Sequence, residues 1–149
     1  MAAPRRRPID GPEAEAILDA LGEGLFTVDG DWCITRFNKA AEQITGFTAE
    51  EAIGEQCWNI FRTDVCESGC VLREALTGQG RSGHRELTIL DSRNREVAVE
   101  VSAATWLDGE GRMLGGVETF RDLTEVVALR DALAEDHKVA GMVAANKRM

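Results

Sequence analysis

From Val97 onward the chain alternates strictly. Val97, Val99, Val101 and Ala103 are apolar, with Ala98, Glu100, Ser102 and Ala104 between them. Successive side chains of an extended strand point to opposite faces, so this run specifies a strand with one apolar face. Its neighbours agree. Glu86 to Leu90 is strand-like and stops at the turn Asp91-Ser92-Arg93-Asn94, and Arg112 to Phe120 follows a second turn, Asp108-Gly109-Glu110-Gly111. After Asp122 the period changes. Val126, Leu129 and Leu133 are spaced three and four apart, the seam of a short coiled coil that two heptads cannot hold together alone.

The first half has a different rhythm. Residues 1–10, with Pro4, Pro8 and Arg5-Arg6-Arg7, read as a disordered tail. Residues 11–22 read as a helix, with Pro12 in its first turn, Ile17, Leu18 and Leu21 on one face, and Gly22 and Gly24 at its end. Leu25 to Val28 and Trp32 to Phe37 are two strands joined by the turn Asp29-Gly30-Asp31. Lys39 to Thr45 fits a helix broken at Gly46, and Thr48-Ala49-Glu50-Glu51 is a capping box opening another. Two more short helices are expected over Cys57 to Arg62 and Gly69 to Leu76. The order is two strands, short helices, three strands and an exit helix.

Charge narrows the function. Seventeen Lys and Arg against 26 Asp and Glu leave a net charge of −9, which argues against direct nucleic-acid contact by this segment. No apolar stretch approaches the ~18 residues that span a bilayer, so no membrane contact is expected. The N-terminus lacks a secretory signal, and a reducing cytoplasmic location is the expectation. Cysteine usage is then the odd feature. Cys57, Cys66 and Cys70 fall within fourteen residues, and Cys33 lies in the expected second strand. Three thiolates converging from short helices suit a soft metal, iron–sulfur or zinc. Thiol–disulfide switching and plain packing are the alternatives. A fourth ligand could be Cys33, solvent, Asp64 or His84. No acid–base or nucleophile constellation appears, so the chain is not expected to be an enzyme.

Two stretches carry a family likeness. Glu23-Gly24-Leu25-Phe26-Thr27-Val28-Asp29 with Ile34-Thr35-Arg36-Phe37-Asn38-Lys39-Ala40-Ala41-Glu42, then Thr45-Gly46-Phe47-Thr48, resembles the opening of a PAS domain. Arg121-Asp122-Leu123-Thr124-Glu125 resembles the Asp-x-Thr motif that closes the PAS core and starts its signalling helix. The resemblance implies an α+β fold: a five-stranded antiparallel sheet in order 2-1-5-4-3, short helices on one face, and flanking helices at both ends. It places the PAS core at residues 23–122 and a signalling helix and coiled-coil linker at 123–138. In chemical terms Asn38 can bond backbone groups where the second strand ends, and Asp122 and Thr124 offer side-chain oxygens at a helix start.

The cysteine region resembles a subset of PAS domains found on sigma-54-dependent activators, with Cys57 before Phe61-Arg62-Thr63-Asp64 and then Cys66 and Cys70. That likeness implies a redox- or gas-responsive iron–sulfur cluster held by Cys57, Cys66 and Cys70. Gly141-Met142-Val143-Ala144-Ala145-Asn146-Lys147-Arg148-Met149 resembles the start of the AAA+ domain of those activators, which implies that residues 139–149 begin a truncated output domain. A histidine kinase is the competing output, with His137 as phosphoacceptor, although Lys138-Val139-Ala140 departs from that box. Flavin is disfavoured. Cys57 follows Gly54 as in light-sensing PAS domains, but Trp58-Asn59-Ile60-Phe61 lacks the Arg and Gln that grip flavin there. Heme is disfavoured because residues 71–80 hold no His. The expectation is a sensor acting as a homodimer through Asp122, Thr124, Val126, Leu129 and Leu133. The rival is a cofactor-free dimerisation module of the same fold.

Overall fold

The computed structural model describes residues 11–63, 70–77 and 83–147. In chain order the elements are α1 (Gly11–Ala20), β1 (Glu23–Val28), β2 (Ile34–Phe37), α2 (Lys39–Thr45), α3 (Ala49–Ala52), α4 (Cys57–Ile60), β3 (Arg62–Thr63), α5 (Val71–Thr77), β4 (Arg85–Leu90), β5 (Glu96–Leu107), β6 (Met113–Asp122) and α6 (Thr124–Lys147). The strands form one antiparallel sheet in the order β2-β1-β6-β5-β4-β3.

The sheet therefore has six strands where five were expected. The five anticipated strands keep their anticipated neighbours, and the addition is the two-residue β3 at the β4 edge. Arg62 holds it there. Its guanidinium donates to the Asp91 carbonyl at 2.5 Å and to Asn94 Oδ1 at 2.8 Å, in the β4–β5 turn, and lies over the Phe47 ring. A strand this short has no hydrophobic period to read. The second strand is also shorter than expected. Trp32 has φ of 67°, a left-handed conformation that cannot continue a strand, so β2 begins only at Ile34.

The apolar parity of β5 becomes the core. Val99, Val101 and Ala103 are buried with Phe26 and Val28 of β1, Phe120 of β6, Ala41 of α2, Ala52 of α3, Ile60 of α4, and Leu72 and Ala75 of α5. Helices α2 to α5 thus share one face of the sheet. Phe26, Phe61 and Phe120 form a tilted aromatic cluster with centroids 4.7 to 6.2 Å apart. Gly24 sits opposite Phe120, and a Cβ there would lie 2.5 Å from the ring, so the strand needs glycine at that point.

Local signals in the middle of the chain hold. Asn38 Oδ1 accepts from the Leu25 and Ala41 amides, and its Nδ2 donates to the Glu23 carbonyl, tying the start of α2 to β1. Thr48 and Glu51 exchange both capping-box bonds at 3.1 Å. The expected tail over residues 1–10 lies outside the described residues.

Candidate functional site

The cysteines do not behave alike. Cys57 opens α4 and is buried in the core cluster, and Cys70, just before α5, is half-buried and packs against the same cluster. Cys70 precedes the helix, its carbonyl accepting from the Glu74 amide, so it does not lie within α5. Cys66 and Asp64 fall outside the described residues.

Cys33 stands apart. It bridges Gln56 in an isolated pairing, and its Sγ lies 3.9 Å from the Asp31 carbonyl in an exposed turn. Partial desolvation and the carboxylates of Asp29, Asp31 and Glu55 push its thiol pKa up, which opposes the thiolate a metal would need. Cys57 and Cys70 meet at one core cluster, whereas Cys33 lies in an exposed turn. Among the described residues no cluster of three or more His, Cys, Asp or Glu is placed to hold a metal ion. His84, the other candidate ligand, is exposed and faces Glu100 at 3.4 Å. Trp58, beside Cys57, is 41% exposed.

The residue that sequence reasoning missed is Glu118. On β6 the buried parity is Gly116, Glu118 and Phe120. Glu118 pairs in register with Phe26 on β1 and Ala103 on β5, both core residues, and is only 4% exposed. Desolvation pushes its carboxyl pKa up to about 8. A parity count backwards from Phe120 would have placed a carboxylate on the apolar face.

The exit junction matches expectation in its details. Asp122 Oδ1 accepts from the Thr124 amide at 2.8 Å and from the Thr124 hydroxyl at 2.5 Å, capping α6. The Leu123 amide donates to the Ala98 carbonyl, which fixes the start of the helix on β5. Arg130 then forks onto Glu86 of β4 with bonds of 2.7 and 2.9 Å. Val126, Leu129 and Leu133 are 43%, 62% and 52% exposed. Helix α6 runs from Thr124 to Lys147.

The opposite face of the sheet holds a groove of about 570 Å³ beneath α1, lined by Ala14, Leu25, Thr105, Trp106, Leu107 and Val117 among others. No helix of the described residues is long and apolar enough to cross a membrane.

A sheet of this strand order, with short helices on one face and an Asp-capped exit helix, is the geometry the family likeness implied. The PAS domain profile matches residues 22–125. The chain belongs to the PAS domain family. Among solved structures it is similar to the PAS domain of a protein from Colwellia psychrerythraea. That likeness has a TM-score of 0.64 and 22% identity, covering 78% of this chain and 99% of that one. In sequence this PAS chain is 30% identical over 115 residues to the nitrogen regulation protein NtrY of Azorhizobium caulinodans, covering 76% of this chain. It is also 24% identical over 127 residues to the signal transduction histidine-protein kinase AtoS of Escherichia coli, covering 85% of this chain. The matched part is 14% of NtrY and 20% of AtoS. Signal transduction is thus the setting in which this PAS domain's relatives occur.

Proposed function

We propose that this PAS domain is the cytoplasmic sensory module of a larger homodimeric regulator, and that it reads its signal in the core and delivers it through β6 into α6. One observation carries the reading. Strand β6 lines the core with Glu118 and Phe120, and its last residue, Asp122, caps α6 directly, so no loop separates core from exit helix. A change of packing around Phe120 would reach the cap within one strand. The flanking helices support the dimer: Ile17 on α1 and Val126, Leu129 and Leu133 on α6 are apolar and exposed. The reading assigns the domain no catalytic step.

The signal is proposed to be redox or gas chemistry at Cys57, Cys66 and Cys70. Cys57 and Cys70 join one core cluster, and Cys66 enters on its sequence spacing. An iron–sulfur cluster is the group proposed there; when bound it would supply oxidation-state chemistry to the core. Cys57, Cys66 and Cys70 would hold it by thiolate, and Ile60, Phe61 and Leu72 of the same core cluster would limit the entry of water. The output is proposed to be an AAA+ domain of the sigma-54 activator type, on the C-terminal resemblance. Likeness to AtoS favours a second reading, the sensor of a histidine kinase.

Anaerobic purification with iron, sulfide and zinc analysis and a visible spectrum tests the thiol site. Iron with sulfide, lost in Cys66→Ser, is the expected result. Zinc alone would replace the cluster with a zinc site. A colourless protein with neither metal, and no reversible change on oxidation, would leave a cofactor-free interaction module.

A further inference from the structure

Among the described residues five polar or charged ones are buried: Thr27, Asn38, Thr45, Asp91 and Glu118. Four of them are satisfied. Thr27 meets the Thr35 hydroxyl at 2.6 Å, Asn38 makes three side-chain bonds, Thr45 donates to the Ala41 carbonyl, and Asp91 accepts from the Arg93 and Arg95 amides and the Arg95 guanidinium. Glu118 differs. Among the described residues no hydrogen-bond donor or cation pairs with its carboxyl. A neutral acid can sit in such a place at modest cost, whereas an ionised one without a partner cannot.

Among the described residues the charges on the packed elements lie elsewhere. On β6, Arg121 pairs with Glu23 of β1 at 2.7 Å, on the parity opposite to Glu118. On β5, Glu100 also takes that outer parity, opposite Arg121 and near His84. On α5, Arg73 lies over the Trp32 ring and Glu74 pairs with Arg85, both at the surface. Among the described residues, the other titratable side chains at the core cluster are Cys57 at α4 and, half-buried, Cys70 before α5, while the buried Asp91 is paired with Arg95. Asp122, four residues along the same strand, is exposed and engaged with Thr124.

We propose that Glu118 is a proton-operated switch: the closed core holds its carboxyl neutral, and loss of that proton to solvent base moves β6 and the Asp122–Thr124 cap to a second arrangement. The inference rests on the β6-to-α6 route proposed above, with the proton as a trigger separate from the thiols. Ionisation leaves a carboxylate between Phe26, Ala103 and Phe120, so the charge must be met by entering water or by displacement of the strand. Either event acts on the strand that ends in the α6 cap. Burial sets the working range, placing the transition at about pH 8.

The test uses the full chain and its Glu118→Gln variant, which mimics the neutral acid. Infrared spectroscopy reads the buried carboxyl stretch, and amide hydrogen exchange over Thr124 to Arg130, compared between the two proteins at each pH, reads the cap. Wild type should lose a carboxyl band near pH 8 that the variant never shows. Its α6 amides should exchange several-fold faster above that pH, with no such rise in the variant. A band absent below the transition, a band that persists well above it, or a band that titrates with no change in α6 would each overturn the proposal. Adding a thiol oxidant separates the two readings. A response of α6 to oxidant but not to pH removes the Glu118 switch and leaves the transmission route standing. No response to either trigger removes both.

Discussion

Glu118 also has a consequence for stability that does not depend on signalling. Its pKa is raised from 4.5 to about 8 by burial, so between those values the folded chain holds a proton that the unfolded chain has released. The stabilisation is full below the unfolded value, falls as pH rises through the window, and is gone above the folded value. Glu118→Gln cannot titrate. In urea unfolding the two proteins should be similar at about pH 5, and the variant should be more stable at about pH 8.5 by on the order of a few kcal/mol. Curves that stay parallel would mean that the carboxyl is solvated in the folded state. Two other carboxyls act in the opposite direction and in a lower range. Asp91 is held below its usual value chiefly by the Arg95 amide, and Glu86 chiefly by the Arg130 guanidinium. Their contributions are lost as pH falls, so they do not overlap the Glu118 window. Glu118 was legible in principle and was missed because the strand over Arg112 to Phe120 was read for its propensity and not for its parity. Asn38 was read correctly because its chemistry is local: one side chain meets backbone groups at a strand-to-helix corner.

At the level of elements, the α6 cap is where sequence and structure agree most closely. Asp122 was expected to supply an oxygen at a helix start, and its carboxylate accepts both Thr124 donors. Asp122→Ala should cost about 1 kcal/mol in thermal or urea unfolding, the usual worth of such a cap. The loss should be accompanied by faster amide exchange in the first turn of α6 while β5 stays protected. A change spread evenly over the sheet would show that Asp122 supports the core and not the junction. The elements that escaped sequence reading share a cause. Strand β3 exists because Arg62 reaches the β4–β5 turn across some thirty residues of chain, a tertiary contact with no local pattern. Strand β2 starts late because Trp32 adopts a positive φ, which no hydrophobic period reports. The capping box at Thr48 and Glu51 lies wholly within four residues and was read without difficulty.

For the whole molecule, the proposed dimer requires that a signal in one core become a change in a second chain. Helix α6 leaves the sheet with Arg130 forked onto Glu86, while Val126, Leu129 and Leu133 stay exposed along it. Those two features divide the labour: the fork fixes the direction of the helix relative to its own sheet, and the exposed apolar seam is the surface the proposed partner would use. An exposed forked pair of this kind is screened by solvent, so it orients the helix without locking it. A seam of three apolar residues is likewise too weak to hold two helices together alone, which is why the dimer is proposed to use Ile17 of α1 as well. Leu129→Glu places a charge in the centre of the seam at a position that is 62% exposed. Sedimentation at micromolar concentration should show a dimer for the parent chain and a dissociation constant raised at least tenfold for the variant, with the thermal midpoint of the PAS core unchanged. A parent chain that sediments as a monomer would remove the dimer from the proposal. A dimer that tolerates Leu129→Glu would move the interface away from α6 to the groove beneath α1, and with it the site where movement of the β6 cap must act.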